Sequence, residues 1–254
     1  MMKYLAIIQA RCGSSRLPNK VMKDLAGKAV IERMVERVQK SKKIDEVIVA
    51  TSIADNNLPL IELCARRRFR VFVGSEKDVL DRYYQAAKLF NPEYIIRVTA
   101  DCPLIDYHLV DQMIECVTPE TDYVHTDEQT FPVGLGAEIV KFSVLEQIWR
   151  DAKLKSEREH VTLFIPNNCS RYKIQTLKFP IDGVSDKRLT LDHPEDYELI
   201  SIIYNHFAEL GLQDDFYAKE ILEFLEVNPE LTKINSHIDR FEGLKISLAN
   251  DGSV

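Results

Sequence analysis

The chain has 254 residues, 45% hydrophobic and 29% charged, which is enough for a sizeable core and fits a globular domain of the α/β class. Its 33 lysines and arginines face 40 acidic residues, and the net charge of -7 argues against nucleic acid or an anionic membrane as a general partner. Five scattered cysteines with no C-x-x-C pair suggest neither a disulfide framework nor a zinc site, and without a signal-like start or a membrane-length apolar run the expected location is cytoplasmic.

The first element is a short strand, Leu5 to Ile8. It runs into Gln9-Ala10-Arg11-Cys12-Gly13-Ser14-Ser15-Arg16-Leu17-Pro18-Asn19-Lys20, a loop with three cations around a glycine and two hydroxyls. That composition suits a polyphosphate: backbone N–H groups approach the oxygens while Arg11, Arg16 and Lys20 neutralise charge. A basic loop that is merely solvated is the alternative reading.

Further strands are expected at Val47–Ala50, Val71–Val73 and Tyr94–Val98. Helical faces lie between them: Val30, Ile31, Met34, Val35 and Val38, then Leu58, Ile61, Cys64 and Ala65, then Val79, Leu80, Tyr83 and Ala87. The series is βαβαβαβ, so this half should be a parallel sheet with right-handed crossovers. The phosphate loop, Thr51, Gly74-Ser75 and Thr99-Ala100-Asp101 then fall at the carboxyl ends of the strands and converge on one site. Neither G-x-G-x-x-G nor a P-loop is present.

A helix is expected at Tyr107–Val117 and shorter strands at Tyr123–Thr126, Ala137–Val140, Tyr172–Leu177 and Arg188–Leu191. Ser143 and Glu146 have capping-box spacing, and Pro194 opens a helix whose face is Leu199, Ile200, Ile203, Tyr204 and Phe207. A last helix spans Tyr217–Val227, and the tail from Asn228 reads as polar and mixed. Arg66-Arg67-Arg68, at a helix end, reads as a solvated face, and Trp149 as a packing residue.

Several separated strings carry a family resemblance. They are Ile7 to Val21, Gly74 to Tyr83, Arg97 to Asp106, Glu159-His160-Val161-Thr162 and Leu191-Asp192-His193-Pro194-Glu195-Asp196. Together they resemble the spore-coat polysaccharide biosynthesis (SpsF-type) cytidylyltransferases and, more distantly, the 3-deoxy-manno-octulosonate and acylneuraminate cytidylyltransferases. The resemblance implies a Rossmann-like mixed sheet of the nucleotide-diphospho-sugar transferase (GT-A-like) type with helices on both faces. It also implies transfer of CMP from CTP to a sugar acid or sugar phosphate for surface polysaccharide or glycan precursors. Residues 1–210 would be the nucleotidyltransferase domain, with 120–180 as acceptor and dimerisation segment, and 211–254 a helical appendage and tail.

The same resemblance distributes roles. Arg11, Lys20 and Asp101 would be catalytic, and Asp101 with Asp192 would hold Mg²⁺. The nucleotide would contact Gln9, Ala10, Arg11, Gly13, Ser14, Ser15, Arg16 and Lys20 of the loop. Thr51, Gly74, Ser75, Arg82, Thr99 and Ala100 would complete that half. Arg97, Glu138 and His160 would bind the acceptor. Taken as isolated residues, Asp101 is also a turn residue, Asp192 a helix-start carboxylate and His160 a packed histidine.

Relatives often carry Pro-Asp-Gly-Leu-Asp where this chain has Pro132-Val133-Gly134-Leu135-Gly136, glycine at Asn19 and threonine at His193, so the acceptor is expected to differ. Phe131, Pro132, Phe164, Ile165 and Pro166 form an apolar set in a short segment, which suggests a homodimer interface. A glycosyltransferase of similar fold would show D-x-D, absent at Asp101-Cys102-Pro103, and a nucleotide-binding protein without catalysis would have no use for both carboxylates. No base is evident beside Cys12 or Cys102, so neither reads as a nucleophile.

Overall fold

The structure, a computed structural model, describes residues 2–251. Strand β1 (Tyr4–Gln9) is followed by a small antiparallel pair, β2 (Asp24–Leu25) and β3 (Lys28–Ala29), then helix α1 (Val30–Gln39) and β4 (Glu46–Ser52). Next come α2 (Leu58–Arg67), β5 (Arg70–Gly74), α3 (Val79–Phe90), β6 (Tyr94–Thr99) and α4 (Tyr107–Glu115). The second half contains β7 (Tyr123–Thr126), β8 (Glu138–Lys141), α5 (Phe142–Asp151), α6 (Lys155–Glu159), α7 (Phe164–Asn167) and β9 (Ile174–Leu177). Helices α8 (Pro194–Glu209), α9 (Ala218–Val227) and α10 (Glu242–Ala249) follow.

The main sheet has the order β5-β4-β1-β6-β8-β7-β9. Its first four strands are parallel, β8 is antiparallel to both neighbours, and β9 runs parallel to β7. Strand β1 is central, and its alternation builds two cores. Tyr4, Ala6 and Ile8 pack with α1, α2, α4 and α8, while Leu5 and Ile7 pack with α3 and α5 on the other face. Helices thus cover both faces, and the carboxyl ends of β1 and β6 lie side by side, Gln9 opposite Thr99. No helix among the described residues is long and apolar enough to cross a membrane.

The apolar faces expected on α1, α3 and α8 are buried as read. On α2 the face is rotated: Leu60, Leu63 and Cys64 are buried, whereas Leu58 is 56% exposed. The capping box expected at Ser143 is absent, because α5 already starts at Phe142 and its N-cap is Lys141. Arg188–Leu191 is extended but makes only an isolated bridge, Val133 with Arg188, and docks on Asp101 instead: the Leu191 N–H donates to the Asp101 carbonyl at 2.7 Å.

The apolar segment does not call for a partner chain. Phe131 is 2% exposed, Ile165 0% and Phe164 also buried, all within one chain; only Pro166 is exposed. Phe131 stacks edge-on against Phe179, so its ring is covered from within the chain. Phe216, Ile221, Leu222 and Leu225 join the main core, so residues after 210 pack on the same body. The polar tail past Asn228 carries α10, which lies against α6.

Candidate active site

A cavity of about 780 Å³ opens at the carboxyl end of the parallel strands. Its phosphate side is the loop after β1. Cys12 and Leu17 are buried and anchor that loop; the Cys12 N–H donates to Asn57 Oδ1 at 2.8 Å, and the Asn19 N–H returns to the Cys12 carbonyl. Asn19 sits at φ 56°, a left-handed conformation that asparagine tolerates where relatives use glycine. Between the anchors, the N–H groups of Gly13, Ser14, Ser15 and Arg16 find no acceptor among the described residues. Such a run of free donors is a nest for anionic oxygens.

The loop's cations point into the cavity with different partners. Arg11 is half-exposed, and its 3.5 Å contact with Glu76 is too long and wet to hold it. Arg16 contacts Asp192 at 3.0 Å and Glu242 at 2.9 Å. Lys20 Nζ is surrounded: Asp192 Oδ1 at 2.8 Å, Asp101 Oδ2 at 3.3 Å and the Leu191 carbonyl at 2.9 Å. Burial works against the ammonium, but the two carboxylates outweigh it and hold its pKa above the ordinary value. Burial likewise disfavours ionised Asp101, yet Lys20 and hydrogen bonds from Thr99 and Cys102 bring the carboxyl down to about 2. Asp101 and Asp192 therefore share one cation, which makes them fit to share another.

Asp192 is positioned from beneath by Asp196, which is fully buried in the first turn of α8. One Asp196 oxygen accepts the N–H groups of Asp192 and His193, each at 2.9 Å. The carboxylate also takes a bidentate pair from Arg188, both 2.9 Å, and a hydrogen bond from Asn235. Hydrogen bonds from these groups hold the Asp196 carboxyl below its ordinary range despite burial.

At the opposite end, Arg97 on β6 faces Glu138 on β8 in register and is ion-paired to it. Glu138 also accepts from Tyr123 and, at 2.7 Å, from Thr162; burial pushes it up, but Arg97 and these donors bring it below the usual glutamate value. Arg97 Nε and Gln9 Oε1 are buried and find no partner among the described residues, a donor and an acceptor left over on the cavity wall. His160 completes this end, with Nε2 3.0 Å from Ser247 Oγ.

The expected loop residues Gln9, Ala10, Arg11, Gly13, Ser14, Ser15, Arg16 and Lys20 all line the cavity. So do Arg82, Thr99, Ala100 and Asp101, with Asp192, Arg97, Glu138 and His160. Thr51, Gly74 and Ser75 do not line it. Thr51 is fully buried between β1 and β5. Gly74 leaves room for Arg82, whose Cγ would lie 3.0 Å from an added Cβ, and the Ser75 carbonyl accepts from Arg82 Nε at 2.9 Å. These two therefore help to aim the arginine. Burial pushes the Cys12 and Cys102 thiols up, consistent with inert cysteines. Arg66, Arg67 and Arg68 are exposed, and Trp149 stacks on Tyr84.

Sequence reasoning missed Arg188, Thr190 and the tail wall, Asp239 to Asn250. The tail gave no signal, since its contacts are polar and distant in sequence. His193, an unusual residue at its position, was the one clue: its Nε2 lies 2.8 Å from Glu242. The departure at Gly136 has a packing reason. At Gly136 an added Cβ would meet Thr126 Oγ1 at 2.7 Å, while at Gly134, which matches the relatives' glycine, φ is 100° and an added Cβ would meet the Leu189 carbonyl at 2.3 Å.

Comparison with known proteins agrees with this geometry. The sequence model of a family described as cytidylyltransferase matches residues 5–222. The spore coat polysaccharide biosynthesis protein SpsF of Bacillus subtilis is 37% identical over 237 residues, 91% of this chain and 97% of its own length. A solved cytidylyltransferase from Leptospira borgpetersenii superposes with TM-score 0.85 at 32% identity, covering 91% of this chain and 97% of that one. A synthetase for CMP-2-keto-3-deoxy-manno-octonic acid, solved with CTP, shares the fold at TM-score 0.64 and 18% identity, covering 80% and 99%. The chain is thus a nucleotidyltransferase and belongs to the SpsF-type cytidylyltransferase family.

Proposed function

We propose that the enzyme transfers CMP from CTP to a sugar acid or sugar phosphate with release of pyrophosphate, supplying a polysaccharide or glycan precursor. The observation that carries this is the free-donor loop, Gly13 to Arg16, beside two carboxylates gathered on Lys20. The loop N–H groups, Arg11 and Arg16 would bind the triphosphate, and Lys20 would offset the charge that grows on the departing pyrophosphate. Asp101 and Asp192 would hold Mg²⁺, which when bound neutralises phosphate oxygens. Arg82 orients the cytidine part, while Arg97, Glu138 and His160 face the acceptor. The names of the relatives support CTP and a polysaccharide route.

Pyrophosphate release with CTP, Mg²⁺ and a panel of sugar acids and sugar phosphates tests the reaction; no release with any of them rejects it. In a thermal melt, CTP with Mg²⁺ should raise Tm more than ATP or GTP does. Equal shifts by all three would remove the preference for cytidine.

Glu242 makes a prediction of opposite sign to most active-site changes. Its carboxylate sits on Arg16, where the triphosphate must bind, so Glu242→Gln should tighten CTP binding about 2–5-fold. Calorimetric titration would show weaker binding if the carboxylate instead assists the nucleotide.

A further inference from the structure

The acceptor end of the cavity is closed by α10, which lies beyond the residues matched by the family. Ser247 on this helix is buried and joins two side chains at the end of α6. Its Oγ donates to Glu159 Oε2 at 2.8 Å and lies 3.0 Å from His160 Nε2. An ionised carboxylate only accepts, and a hydroxyl has a single proton. With that proton directed at Glu159, Ser247 accepts from the ring, which assigns the imidazole hydrogen to Nε2. Nδ1 keeps its lone pair and has no hydrogen bond among the described residues, and His160 lines the cavity.

Burial pushes this imidazole below its ordinary pKa, and Arg97 on β6 acts in the same direction. Glu159 beside it, Glu138 on β8 and Asp251 after α10 oppose them without prevailing. The ring is neutral at pH 7.

We propose that Ser247 and Glu159 are positioning residues that hold His160 as the base for an acceptor attacking through a hydroxyl oxygen. This rests on the cytidylyl-transfer reading above. The acceptor oxygen bonds to the α-phosphorus of CTP, and the bond from that phosphorus to the oxygen bridging the β-phosphate breaks, its electron pair leaving with pyrophosphate. The hydroxyl proton passes to His160 Nδ1 and then to water. A sugar phosphate would attack through an oxygen already ionised at pH 7 and has no use for such a base. The arrangement therefore selects a sugar acid with a free hydroxyl.

The test uses the full chain. Imidazole ¹⁵N spectra, assigned with His160→Gln, should show the Nε2–H form in the wild type and in Ser247→Thr, and a mixture in Ser247→Ala. With CTP and a sugar acid drawn from the panel, Ser247→Ala should lower kcat about 10–100-fold with KM for CTP and Tm unchanged, and Ser247→Thr should recover most of the rate. An Nδ1–H ring in the wild type, an unaltered spectrum or full rate in Ser247→Ala, or turnover of sugar phosphates alone would each overturn the proposal. A wild type that binds CTP but uses neither acceptor class would instead remove the cytidylyl-transfer reading, and the base with it.

Discussion

Asp101→Asn and Asp192→Asn are each expected to lower turnover about 10²–10³-fold while leaving the protein folded. Both carboxylates come from segments fixed by backbone hydrogen bonds: the Leu191 N–H and the Thr190 hydroxyl donate to the Asp101 carbonyl, and the Asp192 N–H is held by Asp196. Their backbones are thus fixed while the carboxylates, paired to Lys20, line the cavity. Amides in their place keep the shape, but remove one of two negative charges beside Lys20 and one of the two carboxylates offered to Mg²⁺. The extra melting shift that Mg²⁺ gives in the presence of CTP should shrink in both variants. Near-wild-type rates in both would sink the metal assignment and leave Lys20 and the loop as the whole of the phosphate machinery.

Asp196→Ala should be the most damaging single change to stability, about 3–5 kcal/mol, because it leaves the buried guanidinium of Arg188 without its bidentate partner and frees the Asp192 and His193 N–H groups. A loss of that size lowers Tm by about 10 °C in a chain of this length. The sign with pH follows from the depressed folded pKa: the contribution is fully present above the ordinary carboxylate pKa of about 4 and is lost as pH falls through the lower folded value. Melts between pH 3 and 7 should therefore fall more steeply on the acid side for the wild type than for Asp196→Asn. A wild-type Tm in Asp196→Ala would show that Arg188 finds compensation elsewhere.

The residues whose function depends on local chain geometry were legible without coordinates. Val30, Met34 and Val38 repeat at helical spacing and are buried, and the Arg11 to Lys20 loop advertises its chemistry directly after the end of β1. Leu58 misled because apolar spacing on α2 fits two faces, and only the tertiary contacts of Leu60 and Leu63 choose between them. Gly74 and Ser75 were recognised by motif, but their contacts with Arg82, a 3.0 Å clearance and one carbonyl, were not. Beyond the unusual His193, Glu242 and Ser247 left no trace, because a polar residue that meets its partner at long range has no period, no cap and no neighbour to betray it.

Arg16 and Glu242 are 226 residues apart, yet touch. At a synthesis rate of 5–20 residues per second, roughly 10–45 s separate the emergence of the two side chains. The loop after β1 can therefore take shape on the ribosome before the wall carrying Ser247 has been made.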